Sequence, residues 1–230
     1  MHRWFSSSRA KPLINFMYDF INRFLGFQDA SNEESLDRCF GTPSWRAIRD
    51  RPDRESALVD LYMEQVRATG AFPYVTFTRI LKPLHDRAYF HLIYATRSPT
   101  GIEKFREVER KVVAEQETVR ERAQREHRES RSGQTEFEFA LEAPSNTLQE
   151  ERDLQRVKAE AKVLKLLEKG PMRYEMLEPL VLELRLVWRT DLNEILVEGR
   201  RSGRVIIDGL RPRERTPKRG CTIRLAGNKS

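Results

Sequence analysis

Cysteine is nearly absent: the 230 residues include two, Cys39 and Cys221, far apart in the chain. A disulfide framework needs several at close spacing, so this pair excludes one and suits a reducing, cytoplasmic setting. Histidine is scarce as well, with four scattered copies. No Cys/His spacing fits a metal site, and no metal is expected. No run approaches the roughly 18 apolar residues of a membrane helix. The opening residues, MHRWFSSSRA, lack the apolar core of a secretory leader. Glycine numbers eleven, and no glycine-rich loop follows a strand-like segment. The turn that usually cradles a phosphate or a nucleotide cofactor is therefore missing.

What is present is charge and helical periodicity. Apolar residues make up 39% and charged residues 33%, the balance of a helix-rich chain long enough for one or two domains. The net charge is +7, and its placement matters more than its size. From Arg189 to Ser230 there are eleven Lys and Arg against five Asp and Glu. A surplus confined to one end, beside a predicted hairpin, points to a polyanionic partner.

The pattern gives a short buried strand over PLINFM at 12–17, then a helix from Tyr18 to Leu25. Asn32 is a predicted cap for a helix ending before Gly41. A short helical turn is predicted over Ser44–Ile48, and a longer helix runs from Pro52 or Asp53 to Thr69. YVTFTRIL (74–81) and RAYFHLIYAT (87–96) alternate as strands around a short Pro83-bearing connection, so they form a hairpin. A helix opens near Gly101, with Phe105, Val108 and Val112 as its predicted buried stripe. Residues 115–132 are almost wholly polar, either a helix extension or a charged linker. GQTEFEFALEAPSNT (133–147) reads as a boundary.

The last third predicts three helices and then two short strands. The first helix, about Leu148 to Lys169, presents Val157, Ala161, Leu164 and Leu167 on one face. The second covers Met172–Arg185, and the third follows a Thr190 cap from Asp191 to about Arg200. Val205–Asp208 and Cys221–Leu225 are the strands, joined by LRPRERTPKRG. Three helices and a hairpin are the layout of a winged helix-turn-helix, with the third helix for recognition and the basic loop as the wing. Candidate nucleic-acid contacts are Arg189, Asn193, Arg200, Arg201, Arg204, Arg211, Arg213, Arg215, Lys218 and Arg219. Arginine suits phosphate because its planar fork donates two hydrogen bonds to one oxyanion. Asn193 is the best candidate reader of an adenine edge. Asp191 and Glu194 repel phosphate, so backbone contact is expected over sequence reading. A protein-interaction module is the competing reading of the same layout.

LINFMYDFINRF, LDRCFGTPSWRAI, YVTFTRIL and YFHLIYATRSPTGIEKFREV resemble the three-Cys-motif partner (TcmP) proteins over about residues 12–113, and the resemblance resumes at the winged-helix tail. It implies an α/β remnant at 1–114: the last strand, helices and closing β-hairpin of a class I methyltransferase-like sheet. A charged extension and linker at 115–147 and a winged-helix domain at 148–226 complete the expected organisation. Such proteins carry an Asp-x-x-Ala-Gly-x-Gly-like loop and an Asp-Pro-x-Gly-like element in an N-terminal half, and neither occurs here. The resemblance thus implies a truncated protein, non-catalytic alone, with no cofactor unless the missing half supplies the S-adenosylmethionine site. In that reading Met1 is a misplaced or internal start. Implied partners are nucleic acid, a three-Cys-motif radical-SAM-like protein or the N-terminal half, with no membrane association. Asp19, Asn22 and Arg23 share one helical face after the first strand and are the candidate substrate-facing residues; a local cap and salt bridge is the plainer reading. The alternatives are a whole or split S-adenosylmethionine-dependent methyltransferase, and a stand-alone winged-helix regulator.

Overall fold

The structure is a computed structural model and describes residues 10–27, 29–85, 87–132 and 147–227. The expected boundary segment at 133–146 and the opening residues 1–9 lie outside the described residues. The chain divides into two compact units. One comprises 1–98 and 113–142; the other comprises 99–112 and 143–230.

The first unit is built on a three-stranded antiparallel sheet. Its strands are β1 (Leu13–Phe16), β2 (Tyr74–Leu81) and β3 (Ala88–Thr96), in the order β1-β3-β2. The hairpin predicted from alternation is present, with Thr76 opposite Tyr94 and Thr78 opposite Leu92. Between β1 and β2 the chain forms α1 (Tyr18–Leu25), α2 (Ala30–Phe40), a 3-10 turn (Pro43–Ala47) and α3 (Arg54–Gly70). Their apolar stripes close one core with the sheet, around Phe16, Phe40, Trp45, Leu58, Val75 and Ile93. Helix α2 starts a turn earlier than predicted. Asp29, not Asn32, is the cap, and its carboxylate accepts the Asn32 N–H at 2.9 Å. Trp45 is fully buried, and its indole N–H donates to Asp37 at 2.8 Å, which offsets the cost of burying that polar tip.

Helix α4 runs without a break from Pro99 to Ser132, so the polar segment 115–132 is helix. Its predicted stripe is corrected. Val108 and Val112 are 58% and 41% exposed, whereas Ile102, Arg106, Glu109 and Val113 are buried. The inward face of α4 holds an ion pair where the periodicity placed valine.

The second unit contains α5 (Thr147–Leu167), β4 (Met172–Arg173), α6 (Tyr174–Val181), α7 (Arg189–Arg201), β5 (Val205–Asp208) and β6 (Thr222–Leu225). The strands form a second antiparallel sheet in the order β4-β6-β5. Two further expectations change here. The inward face of α5 is Gln155, Ala159, Val163 and Leu167, while Val157 is 65% exposed. The predicted helix Met172–Arg185 instead begins as a strand and ends at Val181, with Pro179 inside α6. Proline removes one intrahelical hydrogen bond, and the chain then turns through Leu186 at φ 58°. Arg106 and Glu109 secure that turn. The guanidinium donates to the Leu182 carbonyl at 2.7 Å, the Glu183 carbonyl at 3.0 Å and Glu109 at 2.6 Å. The Glu109 carboxylate accepts the Leu186 N–H at 3.3 Å. A buried guanidinium persists only when its donors are satisfied in this way.

Candidate nucleic-acid interface

Helix α7 forms because Leu192, Ile195, Leu196 and Gly199 repeat at helical spacing and pack inward. Its first turn is closed by Asp191, whose carboxylate accepts the Trp188 N–H at 2.8 Å and is paired with Arg152 at 3.2 Å. Thr190 lies within the helix and is not its cap. Gly199 permits the close approach of α7 to β5. A Cβ there would stand 2.9 Å from a Val205 methyl.

The outward side of α7 is not a bare reading surface. Asn193 Oδ1 accepts the Tyr174 hydroxyl at 2.8 Å. Glu194 and Glu198 are both bound by Arg156 of α5, at 2.7 and 3.2 Å. Arg189 is paired with Glu178 and with Glu103, and those carboxylates hold its pKa above the usual value, the Glu178 hydrogen bond contributing most. Sequence reading missed Arg156, Tyr174 and Glu103 because each reaches its partner from a different helix. No local motif announces such a contact.

The loop between β5 and β6 opens with a tight turn, in which the Glu214 N–H donates to the Arg211 carbonyl at 3.0 Å. Pro212 pre-sets the second position, and Arg213 occupies the third at φ 77°, a left-handed conformation that favours glycine. Glu214 secures the turn, accepting the Arg211 N–H at 3.0 Å and pairing with Lys218. Lys218 first, then that N–H, hold the Glu214 carboxyl below its ordinary range. The loop and α7 enclose a groove of about 290 Å3, lined by Asn193, Glu194, Val197, Glu198, Arg215 and Thr216.

The ten candidate contacts therefore separate. Arg204 is paired with Glu160 at 2.7 Å, Arg219 with Glu103 at 3.6 Å and Lys218 with Glu214. With Arg189 and Asn193, these are engaged within the protein. Arg200, Arg201, Arg211, Arg213 and Arg215 are exposed and have no side-chain hydrogen bond or ion pair among the described residues. Two of them end α7 and three rise from the loop.

In the first unit, Asp19 pairs with Lys82 and Arg87 of the β2–β3 hairpin. Its pKa is lowered, chiefly by the Lys82 hydrogen bond. Asn22 accepts the Tyr18 hydroxyl at 3.3 Å, and Arg23 is exposed. Among the described residues none of the three bonds to another. His91 is buried between the Phe16 and Phe77 rings, with Nε2 3.3 Å from Glu55. Among the described residues no cluster of three or more His, Cys, Asp or Glu side chains is placed to hold a metal, and no helix is long and apolar enough to cross a membrane. Comparison with protein-family models, with curated proteins and with solved structures finds no significant match to this chain.

Proposed function

We propose that the second unit is a winged-helix module that grips duplex nucleic acid through its phosphates, with α7 as recognition helix and the β5–β6 loop as wing. The observation that carries this reading is the sorting of charge. Arg156, Arg189, Arg204 and Arg219 are paired with Glu103, Glu160, Glu178, Glu194 and Glu198, whereas five exposed guanidiniums at the end of α7 and on the loop make no ion pair among the described residues. An exposed, unpaired arginine cluster is the electrostatic footprint of a polyanion site. The helix order supports the same reading. A short strand between the first two helices pairs with the closing hairpin, β4-β6-β5. Binding is by phosphate rather than base, because the side chains best suited to base edges are occupied.

The first unit fits the closing part of a methyltransferase-like sheet of the TcmP type. The supporting observation is that the hairpin folds back so that β3, antiparallel to both neighbours, lies between β1 and β2. In this reading the chain binds without performing chemistry, and S-adenosylmethionine is bound only when a complementary half is supplied. A three-Cys-motif protein and that half are the proposed protein partners, and the cytoplasm is the proposed setting.

Fluorescence anisotropy with two unrelated DNA duplexes, a DNA single strand and an RNA duplex tests the main reading. Both DNA duplexes are expected to bind with similar affinity and a steep salt dependence. Arg213→Ala or Arg215→Ala weakens both equally and lowers the salt slope by about one. Absence of binding to every probe at about 50 mM salt overturns it. Saturable calorimetric binding of S-adenosylmethionine by the chain alone overturns the non-catalytic part.

A further inference from the structure

The two edges of the first sheet are not alike. At the β2 edge, the Leu81 N–H is taken by the Gln116 amide oxygen at 2.9 Å, and the Lys82 carbonyl accepts from Arg120 at 3.2 Å. Side chains of α4 thus cover the Leu81 end of that edge. The β1 edge has no such cover among the described residues. The Ala95 N–H donates to Pro12 O at 3.1 Å, which fixes the parity of the pairing. Residues 12, 14 and 16 are bonded toward β3, so the N–H and C=O groups of Leu13 and Asn15 face outward. A row of unmet donors and acceptors templates another strand.

Exposed apolar side chains lie on β1 and on the helix that follows it. Leu13 is 58% exposed, Met17 45%, Phe20 57% and Phe27 56%. Phe24 links the two rings, at 4.8 Å from Phe20 and 6.5 Å from Phe27. We infer that this face joins a second copy of the chain, β1 pairing antiparallel with β1 about a two-fold axis. The self-pairing is sterically and electrostatically open. LINF carries no charge, so no like charges meet across the axis, and a two-fold supplies an acceptor for every donor. The area is adequate too. Half-exposed phenyl rings each offer roughly 100 Å2. With Leu13, Met17 and the strand backbone, each copy contributes about 550 Å2, and the pair covers about 1,100 Å2, just under the roughly 1,200 Å2 at which stable interfaces begin and in the range of a weak, transient one. The inference does not rest on the nucleic-acid reading, and it assigns the β1 edge to a second copy in place of the complementary half proposed above.

Sedimentation velocity on the full chain, from about 1 to 100 µM, tests it, with micromolar dimerisation as the expected result. Asn15→Pro removes an outward donor while leaving every β3 hydrogen bond intact. Leu13→Lys sets two positive charges against each other across the axis. Each variant is expected to weaken dimerisation at least tenfold, with an unchanged melting temperature at concentrations where the wild type is monomeric. A wild type that stays monomeric throughout overturns the inference. So does dimerisation undiminished in both variants. A monomer whose melting temperature falls in both variants also overturns it, because the face is then covered from within the same chain.

Discussion

The Tyr174 hydroxyl donates to Asn193 Oδ1 across 2.8 Å, from the start of one helix to the outer side of another. Burial, reinforced by the neighbouring Glu178 carboxylate, raises the phenol's pKa well above its usual 10.0, so the hydroxyl stays a donor at any physiological pH. A bidentate adenine contact needs both Oδ1 and Nδ2 turned to the base edge and discriminates by about 1–3 kcal/mol. Tyr174 turns Oδ1 toward α6. Asn193→Ala is therefore expected to change affinity less than about twofold, equally on A-rich and A-poor duplexes. Tyr174→Phe should cost about 1 kcal/mol of stability, read by denaturant unfolding. A base-dependent loss in Asn193→Ala would restore it as a reader.

Arg213 separates binding from folding. A non-glycine residue in the left-handed region is strained by about 1–2 kcal/mol. Arg213→Gly relieves that strain and removes the guanidinium at once. The variant should melt no lower than wild type, while its duplex affinity falls and its salt slope drops by about one. Parallel thermal melts and anisotropy titrations give both readouts. If Arg213 only solvates the loop, stability alone changes.

The buried pair on α4 gives an asymmetric prediction. Arg106 and Glu109 have side-chain exposures of 2% and 0%. Burial pulls the Arg106 guanidinium's pKa down, and Glu109 opposes that shift. Glu109→Ala strands the guanidinium and frees the Leu186 N–H, at an expected cost of about 3–5 kcal/mol. The double variant Arg106→Met, Glu109→Leu leaves no orphaned charge and should recover much of the loss. Denaturant midpoints of the two variants decide it, and equal losses would show that the carbonyl contacts of Arg106 dominate.

The same pair explains what sequence could and could not reveal. Alternation in YVTFTRIL and YFHLIYAT placed β2, β3 and their hairpin, because a half-buried strand forces a period of two. The spacing of Leu192, Ile195 and Leu196 placed α7 for the equivalent reason. The inward faces of α4 and α5 were misread, because periodicity assumes that the largest apolar residues are buried. The backbone turn at 182–186 presents carbonyls and an N–H that Arg106 and Glu109 of α4 satisfy, and Val108 faces outward instead. In α5 small Ala159 permits close packing beside Val163, leaving Val157 outside. The basic cluster was legible from composition. Which arginines are free was not, since Glu103, Glu160 and Arg156 act from across the fold.

Acid should weaken the first unit, and the sign follows from two carboxyls. Asp19 is held below its usual 3.8, chiefly by the Lys82 hydrogen bond and then by Arg87. Glu55 is held below its usual 4.5, chiefly by the His91 hydrogen bond. In the unfolded chain both take up protons at higher pH than in the folded one. Their contribution is thus complete above the unfolded values and is lost as pH falls through the lower folded ones. Stability should be flat near neutrality and decline below about pH 4. Asp19→Asn forfeits the pairing with Lys82 and Arg87 at neutral pH, so its stability starts lower and falls less steeply with acid. Unfolding curves near pH 7 and about pH 3 for both proteins measure the difference. A wild-type profile no steeper than that of Asp19→Asn would mean that the pair is solvated and contributes nothing.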